Sequence, residues 1–147
     1  MLNELCIRDA QQADAIPIAT LLAELGYPNN SDFVREKIQT LSASTADRVL
    51  LAATASEVTG FITLHFIPMF HAQGNCCRVT AIVVAQGYRR QGIGRKLLRA
   101  AEEIARAEKC DRVEITTADR REKAHEFYHR VGYSEVSRRF LKMIDFA

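Results

Sequence analysis

A run of β-type residues, Arg78-Val79-Thr80-Ala81-Ile82-Val83-Val84, feeds straight into a basic segment with paired glycines, Ala85-Gln86-Gly87-Tyr88-Arg89-Arg90-Gln91-Gly92-Ile93-Gly94-Arg95-Lys96. The branched side chains of the run favour a strand. Beyond the glycines, Ile93, Leu97, Leu98, Ala101, Ile104 and Ala105 recur at helical spacing. The order is therefore strand, loop, helix. Gly92 and Gly94 allow close approach to the backbone, and the first-turn N–H groups of the helix have no intrahelical acceptor. Those groups carry partial positive charge, so such a helix start holds anions, phosphate above all. Arg89, Arg90, Arg95, Lys96 and Arg99 add full charges. The stretch predicts a diphosphate-bearing ligand. The plain alternative is a solvated basic helix end that binds nothing.

Twenty Lys and Arg stand against 18 Asp and Glu, a net charge of +2, which is too balanced to argue for nucleic acid. The basic residues are instead concentrated at 89–99 and 120–123, which suits a compact anion. A chain of 147 residues fits one domain with a single core, and no linker or repeat divides it. No basic head precedes an apolar N-terminal run, and no stretch of about 18 apolar residues occurs. The expectation is a cytoplasmic protein with no membrane partner. Cys6, Cys76, Cys77 and Cys110 form no C-x-x-C pair and are expected to stay reduced.

In chain order, the patterning predicts a strand over Leu5–Arg8 and then a helix capped by Asp14, burying Ile18, Leu21, Leu22 and Leu25. A second helix follows from Ser31 or Asp32 to Leu41. Strands are expected over Asp47–Ala55 and Val58–Phe66, then Cys76–Val84, the long helix from Gly92, and a strand over Val113–Ala118. A short helix, Glu122–Val131, stops at Gly132, and closing strands lie near Ser134–Ser137 and Arg139–Asp145. The 78–118 unit is a βαβ crossover, so its two strands run parallel. A ligand at the helix start then lies near their carboxyl ends.

Two segments now point the same way. Arg89-x-x-Gly92-x-Gly94, following Ile82-Val83-Val84, resembles the Q/R-x-x-G-x-G/A loop of the GCN5-related N-acetyltransferase family. Ala124-His125-Glu126-Phe127-Tyr128-His129-Arg130-Val131-Gly132-Tyr133 is similar to that family's A-x-x-F-Y-x-x-x-G-F/Y segment. The resemblance implies an α/β (α+β) fold: a mixed, mostly antiparallel twisted sheet with a central, splayed parallel strand pair and flanking helices, one N-acetyltransferase domain over residues 1–147. It implies acetyl-CoA as cosubstrate, no metal, and direct transfer to a primary amine within a ternary complex. The backbone of Arg90, Gln91, Gly92, Ile93, Gly94, Arg95 and Lys96 would cradle the pyrophosphate, with the side chains of Arg89 and Arg90 adding charge. Ile82, Val83 and Val84 would offer backbone groups to pantetheine, the Val84 N–H acting as oxyanion donor. Tyr128 would be the general acid: a phenol titrates near 10, so it is protonated at neutral pH and can donate to the leaving thiolate. A homodimer is also in keeping with the family.

The pattern departs from the family at two places. Where many relatives carry a glutamate ahead of the glycine loop, this chain has Thr80 and Ala81, leaving Glu114, His65, His71 or a water relay as the base. Arg121 stands where relatives commonly have Asn. The runs Gly60–His65 and Arg138–Met143 look like aminoalkylphosphonate and aminoglycoside acetyltransferases, which leans toward a small-molecule amine. Two other classes compete. One is a non-catalytic acyl-CoA sensor on the same fold. The other is a zinc peptidase, because His125-Glu126-Phe127-Tyr128-His129 spells H-E-x-x-H. Against it, Glu135 stands in the place of the third histidine, and a peptidase gives the glycine loop no purpose.

Overall fold

The computed structural model describes residues 4–116, 122–136 and 139–146. They fall into two compact units, residues 1–117 and 118–147. The first contains β1 (Cys6–Asp9), α1 (Ala15–Leu25), α2 (Ser31–Ser42), β2 (Asp47–Ala53), β3 (Val58–Ile67), β4 (Asn75–Val84), α3 (Ile93–Ala107) and β5 (Cys110–Ile115). The strands form one sheet in chain order, antiparallel from β1 to β4, with β4 and β5 parallel. The mixed, mostly antiparallel sheet flanked by helices is as expected.

Strand alternation divides the core in two. Val49, Leu51, Phe61 and Val83 pack with Ile18, Leu21, Val34 and Ile38 of α1 and α2. Gly60, next to Phe61, faces the other way: a Cβ there would lie 3.4 Å from Leu97 and 3.5 Å from Ile93 of α3, and only 2.7 Å from the Val83 carbonyl. Helix α3 is thus seated against the sheet where β3 has no side chain. Its buried residues Ile93, Leu97, Leu98, Ala101 and Ala105 are those of the helical repeat.

Asp14 precedes α1 as expected but does not cap it. Its carboxylate instead takes the Arg8 guanidinium at 2.9 and 3.0 Å and the Gln11 N–H at 2.8 Å. Helix α1 ends at Gly26 (φ 105°), where Tyr27 N–H reaches the Leu22 carbonyl and Gly26 N–H that of Ala23. Strand β5 begins at Cys110, ahead of the expected Val113, because Cys110 and Arg112 already pair with Asn75 and Cys76 of β4, the register skipping Asp111 between them.

The second unit contains α4 (Glu122–Arg130). Its end follows from Gly132 (φ 100°): Gly132 N–H bonds His129 O and Tyr133 N–H bonds Tyr128 O. The G-Y that closes the second sequence motif is this helix stop. The closing strands are the main correction. Described residues 133–136 and 139–146 carry no strand, and Phe140, Leu141, Met143, Ile144 and Phe146 are exposed; Ser137 and Arg138 lie outside the described residues. Branched and aromatic residues favour a strand only where a ladder and a packing face receive them. The parallel pair expected at the centre accordingly sits at one end of the five-stranded sheet. Among the described residues, no helix is long and apolar enough to cross a membrane.

Candidate active site

Strand β4 is flanked on both sides for its first half only. Asn75 to Val79 pair with β5, and Thr116 N–H donates to the Val79 carbonyl at 2.9 Å. On the β3 side, Thr63 pairs with Ala81 and Leu64 with Val79, so Thr80 is an extra, bulged residue. From Thr80 onward β4 has β3 on one side and, among the described residues, no β5 partner on the other.

The phase of the ladder fixes which amides face the open side. Ala85 N–H donates to the Thr59 carbonyl at 2.8 Å, which makes 59/85 a hydrogen-bonded pair. Alternation then directs the N–H and C=O groups of Val83 and Ala81 toward β3, and those of Val84 and Ile82 away from it. The expected pantetheine edge is therefore Ile82 and Val84. Val83 turns its backbone to Phe61 and its side chain into the core.

A 3₁₀ turn, Gln86–Tyr88, carries the chain from β4 into the glycine loop. The Tyr88 hydroxyl bonds Glu57 at 2.5 Å, which anchors the turn to the β2–β3 connection and pushes the phenol up from its ordinary value. Arg90 (φ 66°) and Gly92 (φ 80°) are both left-handed. That conformation costs a residue with a Cβ about 1–2 kcal/mol, so Arg90 stores strain next to the helix start. Helix α3 has no side-chain cap, and its first intrahelical bond is Lys96 N–H to Gly92 O at 3.1 Å. The amides of Ile93, Gly94 and Arg95 therefore lie in the unsatisfied first turn.

A Cβ on Gly92 would meet nothing within 4 Å, so the space beside it is open among the described residues. Unsatisfied amides and open space fit a diphosphate, and Arg90 to Arg95 are the residues that would hold it. Two cations predicted for this role point elsewhere. Arg89 folds back to donate from Nε to the Val84 carbonyl at 3.2 Å, steadying the end of β4. Lys96, with Arg99, lines a groove of about 510 Å³ beside Arg8, Asp9 and Arg48.

Next to the bulge lies a polar chain that sequence reasoning named only in part. His65 Nδ1 is 2.6 Å from Asp47 Oδ1, and His65 Nε2 is 2.7 Å from Thr80 Oγ1, itself 2.8 Å from Thr63 Oγ1. Burial pushes the Asp47 carboxyl up, but hydrogen bonds from His65 and Ser44, with the attraction of His65 when it is protonated, outweigh it and hold it below the usual carboxylate range. His65 lies on β3, within the strand expected over Val58–Phe66. Glu114, also considered as a base, is tied to Arg78 at 3.0 Å, and His71 is exposed between β3 and β4. The signal for the chain was Thr63 and His65 alternating with Phe61 within an otherwise apolar strand. Their partners across the sheet follow only from register.

Tyr128 is half-buried in α4, its ring 5.6 Å from that of Phe127. It belongs to the second unit, and Arg121 lies outside the described residues. In the same helix, His125 Nδ1 is 3.7 Å from Glu135. Among the described residues, no group of three or more His, Cys, Asp or Glu is arranged to hold a metal ion. The thiols are free. Burial and Glu114 push Cys76 up to about 11, and burial and the other thiols push Cys77 up to about 12, so neither is a nucleophile at neutral pH.

Residues 17–133 match the family model described as Acetyltransferase (GNAT) family. The chain belongs to this family. Over 94 residues, 64% of the chain, it is 37% identical to an aminoalkylphosphonate N-acetyltransferase of Salmonella typhimurium, and the match spans 61% of that relative's length. Solved GNAT-like structures share the fold at low identity. A transcriptional regulator from Bacillus halodurans superposes with a TM-score of 0.85 at 22% identity, covering 97% of this chain and 100% of that one. The aminoglycoside N-acetyltransferase AAC(6')-Iy, solved in complex with CoA, gives 0.84 at 14% identity, covering 98% and 97%. Members of the GNAT family use acetyl-CoA as acyl donor, and the open β4 edge and uncapped α3 start lie within the matched region of this chain.

Proposed function

We propose that the protein transfers the acetyl group of acetyl-CoA to a primary amine of a small molecule, both substrates being bound together. The observation that carries this reading is the continuity of the open β4 edge with the uncapped start of α3. An acyl-CoA arm laid along Ile82 and Val84 would complete the strand edge as an added strand does, leaving its diphosphate beside Arg90 to Arg95. The Val84 N–H then meets the charge that develops on the thioester oxygen, a contribution of several kcal/mol in acyl transfer. Tyr128 protonates the departing sulfur. The Salmonella relative's substrate class supports a small amine as acceptor, and free, buried thiols suit a reducing cytoplasm.

The test is release of CoA thiol from acetyl-CoA across a panel of aminoalkylphosphonates, aminoglycosides and a lysine peptide. Turnover with the small amines is expected. Tight acetyl-CoA binding with no thiol release would instead make the protein an acyl-CoA-binding module. Tyr128→Phe should lower kcat by about 10²-fold or more while leaving acetyl-CoA affinity intact; equal turnover removes the acid role.

A further inference from the structure

A primary ammonium must lose a proton before its nitrogen can attack a thioester, and no carboxylate stands on β4 where the strand parts from β5. The hydroxyl of Thr80 stands there, exposed, on the bulged residue itself. Its hydrogen bonds have a fixed direction. Asp47, ionised, can only accept, so in the neutral form of His65 that a base requires, Nδ1 carries the hydrogen and Nε2 presents its lone pair. Thr80 O–H must then donate to Nε2, and Thr63 O–H must donate to Thr80. One lone pair of Thr80 Oγ1 is left for a donor from outside.

The charged groups in line with the imidazole are Asp47 on β2, Arg78 opposite His65 on β4, and Glu114 on β5, which Arg78 binds. The pair at 78 and 114 balances itself, so the charge that acts directly on His65 is that of Asp47. At about 3.3 Å per residue along a strand, Thr80 lies roughly 7 Å from Ile82 and roughly 13 Å from Val84. An amine poised at a thioester held by Val84 therefore communicates with Thr80 through a short chain of bridging waters and not by direct contact.

We infer that Thr80, His65 and Asp47 form the proton-accepting relay for the acceptor amine, an inference that rests on the acetyl-transfer reading above. An ammonium N–H bond breaks toward the first water of that chain, the last water passes a proton to Thr80 Oγ1 as the Thr80 O–H bond breaks toward His65 Nε2, and nitrogen keeps the electron pair. That pair forms the C–N bond. The C–S bond breaks, its electrons leave with sulfur, and the proton sulfur gains balances the second one nitrogen loses. His65 passes the first proton to water, so one proton is released per acetyl transferred. Thr80 receives the proton from the last water, His65 acts through Thr80, and Asp47 is a positioning residue.

Steady-state kinetics on Thr80→Val, Thr80→Ser, His65→Gln and Asp47→Asn test the relay, with ¹⁵N NMR of His65 in the free protein as a readout independent of turnover. Thr80→Val and His65→Gln should each lower kcat by about 10²-fold with acetyl-CoA affinity unchanged, and Thr80→Ser should restore most of it. His65→Gln should also abolish the rise of kcat/KM with pH that a histidine base imposes. The spectrum should show His65 as the Nδ1–H tautomer, and Asp47→Asn should lose that preference. An active wild type with Thr80→Val and His65→Gln unchanged overturns the relay alone, as does an Nε2–H tautomer. A wild type that binds acetyl-CoA but never releases thiol overturns the acetyl-transfer reading and the relay with it.

Discussion

Helices α2 and α3 begin in opposite ways. The start of α2 is completed from within the chain: the side chain of Asn30 accepts the Phe33 N–H at 2.8 Å, and Asn30 itself is extended, at φ −75° and ψ 160°. The start of α3 has left-handed Gly92 in the same place, with no side chain to accept anything. Such an omission leaves roughly a few tenths of a kcal/mol of capping unused, and the left-handed Arg90 two residues earlier adds strain. Helix α1 is a third case, in which the carboxylate at the entry, Asp14, is turned away from the helix toward Arg8. Of the three, only α3 combines an unsatisfied first turn with strain and open space. That open start is the one to which the proposed acetyl-CoA reading assigns the diphosphate.

The largest effect should come from giving α3 a side chain of its own. Gly92→Asp would supply a carboxylate beside the first-turn amides and repel a diphosphate from them. A free variant that relaxes residue 92 to an extended, capping conformation must give up roughly a few tenths of a kcal/mol of capping and take on about 1–2 kcal/mol of left-handed strain to bind CoA, which together with the carboxylate's repulsion predicts an affinity lowered by about 10-fold or more. Calorimetric titration with CoA measures it, and Gly92→Ala, which brings the strain alone, should fall between the variant and the wild type. Unchanged affinity in Gly92→Asp would mean that the two helix starts do not differ in function and that CoA does not bind at α3.

The α1 start sharpens the comparison through pH. The bonds from Arg8, opposed by burial and helped by the Gln11 N–H, hold the Asp14 carboxyl below its ordinary value. A depressed carboxyl stabilises the fold fully above its unfolded pKa, near 3.9, and that contribution is lost as pH falls through the folded value. Asp14→Asn should therefore cost about 1–2 kcal/mol at neutral pH, toward the lower end for charged hydrogen bonds because Arg8 is partly open to solvent. The gap between the variant and the wild type should close as pH drops below about 4. Thermal melts across that range read it. A gap that persists in acid would show that Asp14 acts through packing and not through its charge.

These three starts also show what the sequence can and cannot carry. Gly92, Gly94 and the apolar repeat from Ile93 to Ala105 made the open helix legible, because both conformation and burial are local properties of residue type. Asp14 misled, since a carboxylate before a helix fits a cap and an ion pair equally well until Arg8 is placed beside it. The chain from Asp47 through His65 to Thr80 depends on register across three strands and on a bulge at Thr80. Residues 15–18 apart in sequence meet there only because of how the strands pair. The segment after residue 133 shows the reverse error. Its alternation of branched and aromatic residues reads as strand, yet the described residues have no ladder to join.

The smallest effect belongs to the finished helix. Asn30→Ala removes the acceptor for the Phe33 N–H and should lower stability by about 1 kcal/mol, a fall in Tm of about 2–4 °C for a chain of this size. The cap is exposed, so the Phe33 N–H regains water when the Asn30 side chain is lost and the cost stays modest. The contrast with α3 lies in the second readout: CoA affinity should be the same as in the wild type. A variant that loses CoA binding along with stability would show that α2 and the glycine loop are coupled, and the division between a self-completed helix and a ligand-completed one would no longer hold.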